Sequence, residues 1–212
     1  MISGMQGDQG SRSRPAGTPA APGRAVWIAT YGTLLLILVL ALLGDPARAL
    51  LRYERAGLAA GEAWRLVSGH LVHIDLVHAL LNGAALWLLV TAVGRGMQAR
   101  EWILILIGAV AGVDAGLYWL VPEIGWYVGL SGVLHGALAG PALLLCLRRR
   151  PLGLLLLVLL AAKLSWEVFY GPMPGTGALV SGPVVTEAHL FGAIGGLAGA
   201  LLAWALAGRR PV

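Results

Sequence analysis

The chain has 212 residues, of which 58% are hydrophobic and 12% charged, about half the charged share of an ordinary soluble domain. With a mean hydropathy of +0.80 and a net charge of +5, it has too few charges to cover a soluble globule, and its scattered arginines form no nucleic-acid-binding face. The single cysteine, Cys146, excludes an intrachain disulfide and a cysteine metal cage. What remains is an all-α integral membrane protein.

Residues 1–24 are rich in Gly, Ser, Pro, Ala and Arg and read as a disordered tail. Ala25–Leu43 is an uncharged run of 19 residues. Ala47-Arg48-Ala49 loosely fits a signal-peptidase site, but the run exceeds a usual signal core, so the first helix is expected to stay. Five more apolar segments follow: Leu71–Val93, Trp102–Val121, Val128–Leu147, Leu152–Tyr170 and Ala188–Gly208. They predict a bundle of six transmembrane helices over residues 25–208, with a short tail at 209–212.

Loop charges predict the orientation. Arg12, Arg14, Arg24, Arg95, Arg100, Arg148, Arg149, Arg150, Arg209 and Arg210 fall on one side, which the bias assigns to the cytoplasm along with both termini. Arg48, Arg52, Arg55 and Arg65 fall on the other, within one loop that also carries Asp45, Glu54 and Glu62.

Polar groups inside a membrane are costly, so each needs a reason. The second span carries His73, Asp75, His78 and Asn82, with His78 and Asn82 on one helical face. The fourth opens Gly129-Leu130-Ser131-Gly132-Val133-Leu134-His135-Gly136, and the sixth opens Glu187-Ala188-His189-Leu190-Phe191-Gly192. In the predicted topology these helices all start on the outer side, placing the three clusters at similar depth. Taken singly, each has a plainer reading: a serine bonded to its own helix, an interfacial histidine, an asparagine joining helices, glycines for packing.

Together they point to serine acyl transfer. A serine hydroxyl needs a neighbouring base, and histidine is suited to that near neutral pH. Asn82, a His78 ring N–H and the Ser131 backbone N–H would be donors for the oxyanion. Gly132, Gly136 and Gly140 form a small-residue stripe on the fourth span, and Gly192, Gly196 and, one residue off register, Gly199 form one on the sixth, so close approach of the two helices would join Ser131 to His189. Glu187 precedes His189 and is expected to face away, leaving a Ser–His dyad without an acidic third member. Lys163 and Glu167 read as an interfacial ion pair with snorkelling stems, with contact to a substrate tail as the alternative. Asp114 has no evident partner, Arg148–Arg150 read as a topology anchor, and Cys146 as a packed residue. His70, His73 and Asp75 are expected to line the mouth of a water-accessible cavity.

In this order and on these helices, the motifs resemble the rhomboid intramembrane serine proteases over residues 25–208. Glu62-Ala63-Trp64-Arg65 is similar to the family's Trp-Arg motif in the first outer loop, making Trp64 and Arg65 supporting residues. His73 and His78-x-x-x-Asn82 resemble its second-helix pattern, Gly129-x-Ser131-Gly132 its nucleophile motif, and Ala188-His189-x-x-Gly192 its base motif. The resemblance implies Ser131 as nucleophile, His189 as general base, and His78 and Asn82 as oxyanion donors, with His73 structural. His135 stands where the family commonly has a tyrosine packed on the catalytic histidine; a stacking role survives that change.

The Gly129–Gly136 run, the compact size and the short Glu187-Ala188-His189 approach resemble the rhombosortase subgroup. That resemblance implies substrates anchored by a C-terminal Gly-Gly motif, a transmembrane helix and a basic end, cut on the periplasmic face of the bacterial inner membrane. No cofactor, metal or nucleic acid is implied. The alternatives are a general rhomboid protease acting on single-span proteins and an inactive relative that binds membrane clients. A small transporter is disfavoured because paired repeats and broken helices are not evident. Release by water and transfer to an amine acceptor both stay open.

Overall fold

A computed structural model describes residues 20–208. Most of the predicted tail at 1–24 and all of 209–212 lie outside the described residues, as do Arg12, Arg14, Arg209 and Arg210 of the charge argument.

The chain opens with α1 (Arg24–Leu43). A compact segment follows, made of α2 (Asp45–Leu51), β1 (Tyr53–Glu54), α3 (Arg55–Ala59) and α4 (Arg65–Ser68). Next come α5 (Leu76–Val93), α6 (Ala99–Trp119), β2 (Trp126–Tyr127), α7 (Ser131–Leu147), α8 (Pro151–Tyr170), α9 (Pro174–Leu179) and α10 (Thr186–Leu206). By length and composition, α1, α5, α6, α8 and α10 can each cross a membrane among the described residues. The helical bundle is as expected, but the fourth apolar segment yields a shorter helix of 17 residues.

Local chemistry sets these boundaries. The second span begins helically at Leu76, not Leu71, because the Asp75 carboxylate accepts a hydrogen bond from the His78 N–H at 2.7 Å and caps the helix. α6 starts with a capping box in which Gln98 and Glu101 satisfy each other's backbone amides. The fourth span loses Val128–Leu130 because Trp126 and Tyr127 are extended, and Gly129 then turns the chain with φ +115°.

α10 lies between α6 and α7 at backbone contact. A Cβ on Gly192 would collide with the Gly132 carbonyl, one on Gly196 with the Gly136 carbonyl, and one on Gly195 with the Gly108 carbonyl. The α7–α10 seam is the one the sequence predicts; the α6 side adds Gly108 and Gly112, which the spacing argument did not use. α8 packs on α7, where a Cβ on Gly153 would meet the Ala142 carbonyl oxygen at 2.5 Å. α1 sits outermost against α5, and of its residues only Thr30 and Ile37 are buried.

The segment between α1 and α5 braces the start of α7. β1 pairs antiparallel with β2, Tyr53 opposite Tyr127, and the Gly129 N–H donates to the Gly69 carbonyl at 3.0 Å. Arg65 is buried and holds this segment together. It pairs with Glu62 and donates to the carbonyls of Arg52 at 2.8 Å and Ala49 at 3.2 Å. Trp64 is half exposed, and its indole N–H reaches the Leu50 carbonyl at 3.4 Å.

Candidate active site

Ser131 is the first residue of α7, and His189 lies in the first turn of α10. The glycine seam brings these two helix starts together, and Ser131 Oγ lies 2.9 Å from His189 Nε2. His189 is 3% exposed, so its ring is held by its neighbours with little water around it. His135, one turn along α7, stacks on that ring with centroids 4.1 Å apart and planes 19° from parallel.

The opposite nitrogen of His189 does not face solvent. Its Nδ1 lies 3.0 Å from Glu167 Oε2 and 3.1 Å from Oε1, and Glu167 comes from the last turn of α8. This corrects the expectation that no acidic residue joins the pair. Glu187, the acidic residue beside His189 in the sequence, is exposed. The carboxylate comes instead from a neighbouring helix. Nor do Lys163 and Glu167 form an outward-facing interfacial pair. Glu167 is 5% exposed, and Lys163 Nζ lies 2.6 Å from Glu167 Oε2 and 2.6 Å from His135 Nε2.

Lys163 Nζ also lies 3.1 Å from His189 Nδ1, so that nitrogen faces both an ammonium and a carboxylate; the tautomer that leaves Nε2 free to accept from the serine assigns the donors as follows. Lys163 Nζ can only donate, so His135 Nε2 accepts, and His135 Nδ1–H donates to the Ser131 carbonyl at 2.7 Å. With Ser131 Oγ–H donating to His189 Nε2, the neutral His189 carries its hydrogen on Nδ1 and donates it to Glu167. The result is a closed ring from Ser131 through His189, Glu167, Lys163 and His135 back to the Ser131 carbonyl. His135, Glu167 and His189 are also residue types that ligate metals, and their ligand atoms lie within 4.8 Å of one another. Lys163 Nζ lies within hydrogen-bond distance of all three, so an ammonium already serves as the cation of this cluster.

Tyr127, which the sequence reading passed over, shapes the turn before Ser131. Its hydroxyl donates to the Gly129 carbonyl at 2.7 Å and accepts from the Gly132 N–H at 3.4 Å. The Gly132 amide is thereby occupied, while Ser131 starts the helix, where backbone N–H groups have no intrahelical acceptor. A Cβ on Gly129 would lie 2.7 Å from His78 Cε1, so the His78 imidazole rests directly on the Gly129 backbone, two residues before Ser131. A Cβ on Gly132 would lie 2.8 Å from the Ala188 carbonyl, next to His189. Asn82 is buried one turn below His78, and its Nδ2 donates to the His78 carbonyl at 2.9 Å, leaving the second amide hydrogen for another acceptor.

His70 and His73 do not line an open mouth, since each is 3% exposed. Tertiary packing over the segment before α5 encloses them. His73 packs edge-on against His78 at 4.9 Å, and burial together with that neighbour pushes its pKa down to about 3, so it is neutral. His70 Nε2 lies 3.3 Å from Asp114, which supplies the partner that the sequence did not reveal. Asp75 caps α5 and also accepts from the Ser181 N–H at 2.9 Å, tying the connection between α9 and α10 to the start of α5. Burial works to raise this carboxyl, but the hydrogen bonds from Ser181 and His78 outweigh it and hold its pKa at about 2.

A Rhomboid domain family profile matches residues 60–206. The rhomboid protease homologue YdcA of Bacillus subtilis (strain 168) is 26% identical over 140 residues, covering 66% of this chain and 67% of that protein. The rhomboid proteases GlpG of Salmonella choleraesuis (strain SC-B67) and Salmonella paratyphi A (strain ATCC 9150 / SARB42) are each 27% identical over 179 residues. Those alignments cover 80% of this chain and 63% of the GlpG proteins, so the chain matches under two thirds of their length.

Proposed function

This chain belongs to the rhomboid family of intramembrane serine proteases, and we propose that it hydrolyses peptide bonds with Ser131 as nucleophile and His189 as general base. The observation that carries this reading is the 2.9 Å contact between Ser131 Oγ and His189 Nε2 at two helix starts pressed together through glycine. Ser131 Oγ attacks the scissile carbonyl carbon while its proton passes to His189 Nε2, and the carbonyl π pair moves onto oxygen. The Ser131 N–H, the Asn82 amide and the His78 ring receive that oxyanion. Collapse breaks the C–N bond as His189 returns the proton to the departing amine. Water then releases the acyl group through the same residues.

The finer reading is a rhombosortase-like enzyme of the bacterial inner membrane. Residues 25–208 form its catalytic domain and cross six times, with both termini cytoplasmic and the site facing the periplasm. Supporting this, α7 at 17 residues spans about 25 Å, near the lower limit for a crossing helix. The arginine asymmetry of the sequence supports the orientation. The substrates are membrane-anchored proteins with a C-terminal Gly-Gly tail. A helix hides its carbonyls in its own hydrogen bonds, and each glycine near the cut lowers the cost of unwinding by about 1 kcal/mol relative to alanine.

Co-expression of the wild type or Ser131→Ala with a Gly-Gly-tailed protein tests both levels. The wild type is expected to shorten the substrate and the variant to leave it intact, with the product mass giving the cut site and a free acid or an attached acceptor. Equal processing by Ser131→Ala overturns the catalytic reading. A wild type that cuts other single-span proteins but not the Gly-Gly tail overturns the rhombosortase reading.

A further inference from the structure

We propose that Glu167 and Lys163 are positioning residues of the reaction, Glu167 by holding the His189 imidazole through Nδ1–H and Lys163 by holding Glu167 and His135. This rests on the reading of Ser131 and His189 as the reacting pair. Three observations carry it.

Glu167 accepts from the nitrogen of His189 opposite the serine, at 3.0 Å. When Ser131 Oγ bonds to the carbonyl carbon and gives its proton to Nε2, the imidazole becomes a cation, and Glu167 is the carboxylate next to that new charge. It keeps the tautomer with hydrogen on Nδ1 and free electrons on Nε2, which is the form a general base requires.

The pair is also an expensive way to build α8. Glu167 is 5% exposed within a helix long and apolar enough to cross a membrane, where ionised groups are costly. Buried ion pairs can often be exchanged for apolar residues without loss of stability. A purely structural need would be met by leucine, as it is elsewhere on this helix.

Finally, Lys163 does not reach for the surface. Its ammonium bridges Glu167 and His135 at 2.6 Å each, and His135 both stacks on His189 and donates to the Ser131 carbonyl. One cation therefore fixes the carboxylate behind the base and the ring beside it. The same contacts leave little of the pair free to bind a substrate tail.

The test uses the full-length protein in detergent micelles with a fluorophosphonate probe. The maximal acylation rate per titrated site, the half-saturating probe concentration and the melting temperature are measured for each variant. Glu167→Gln is expected to lower the maximal rate about 100-fold, with half-saturation within about twofold and melting close to wild type. The apolar double variant Lys163→Met/Glu167→Leu is expected to be as slow while melting at or above the wild-type temperature. A role confined to stability would lower melting and the titrated fraction but leave the rate per site unchanged, and that result overturns the proposal. Should Glu167→Gln fail to fold, the double variant decides alone: a wild-type rate per site overturns the proposal. Ser131→Ala separates the two claims. If it is unreactive while Glu167→Gln reacts like wild type, only the positioning role falls; if it still reacts, the Ser131–His189 reading falls with it.

Discussion

α10 carries one member of the ring around Ser131 and α8 carries two, yet the two helices are held in different ways. α10 is fixed by backbone against backbone along its length, Gly192 and Gly196 on α7 and Gly195 on α6, so its neighbours leave no room for even a methyl group. α8 is held at a few points. Of its residues only Gly153, Leu160 and Glu167 are buried, and most of its other face is exposed apolar surface. The proposed base, His189, thus rides on a rigid element placed by shape, while its carboxylate partner rides on a peripheral one placed largely by charge. Packing sets where His189 is; the polar ring sets which way it points.

The largest expected effect comes from breaking the rigid side. Gly192→Val would drive a branched side chain into the Gly132 carbonyl, separating Ser131 from His189. Overpacking of this kind costs about 1–3 kcal/mol, and fluorophosphonate labelling is expected to be lost together with a lowered melting temperature. Labelling at the wild-type rate would break the account of the seam.

Removing a proposed oxyanion donor leaves the seam intact. Asn82→Ala is expected to slow cleavage by about 100- to 1,000-fold with little change in labelling stoichiometry. Because Asn82 also bonds the His78 carbonyl, a fall in labelled fraction matching the fall in rate would assign it to helix structure instead.

A smaller effect sharpens how the ends of the two helices are joined. Asp75 tethers the connection that leads from α9 into α10 by accepting from Ser181 while capping α5. Asp75→Ala is expected to cost about 1 kcal/mol as a lost cap and to speed proteolysis near Ser181. The folded pKa of about 2 lies below the ordinary 3.8, so this contribution is complete above pH 3.8 and is lost as pH falls through 2. The variant should lack that acid-side loss. The smallest effect belongs to the open face of α8, where Leu155 is 54% exposed. Leu155→Ala is expected to change stability by under about 0.5 kcal/mol and activity not at all.

The same contrast explains what the sequence made legible. Hydropathy located the helices, because length and apolarity are averaged over a whole segment. It missed the starts of α5 and α7, which turn on single residues: the Asp75 cap and the positive φ of Gly129. The glycine spacing on α7 and α10 pointed to the close contact that joins Ser131 and His189, since both features are local to their helices. Glu167 escaped because its partner is 22 positions away and on another helix. The available signal was a lysine and a glutamate four apart in an apolar span, together with a histidine whose Nδ1 needed an acceptor. Asp114 and His70 escaped for the same reason: their pairing is purely tertiary.

The central claim is that Ser131 is made nucleophilic by His189. The most direct measurement is mass-spectrometric mapping of the fluorophosphonate adduct on the full-length protein, with His189→Ala run alongside. The account predicts a single adduct on Ser131 that is absent from His189→Ala. An adduct on another residue, or Ser131 labelled equally well without His189, would contradict it.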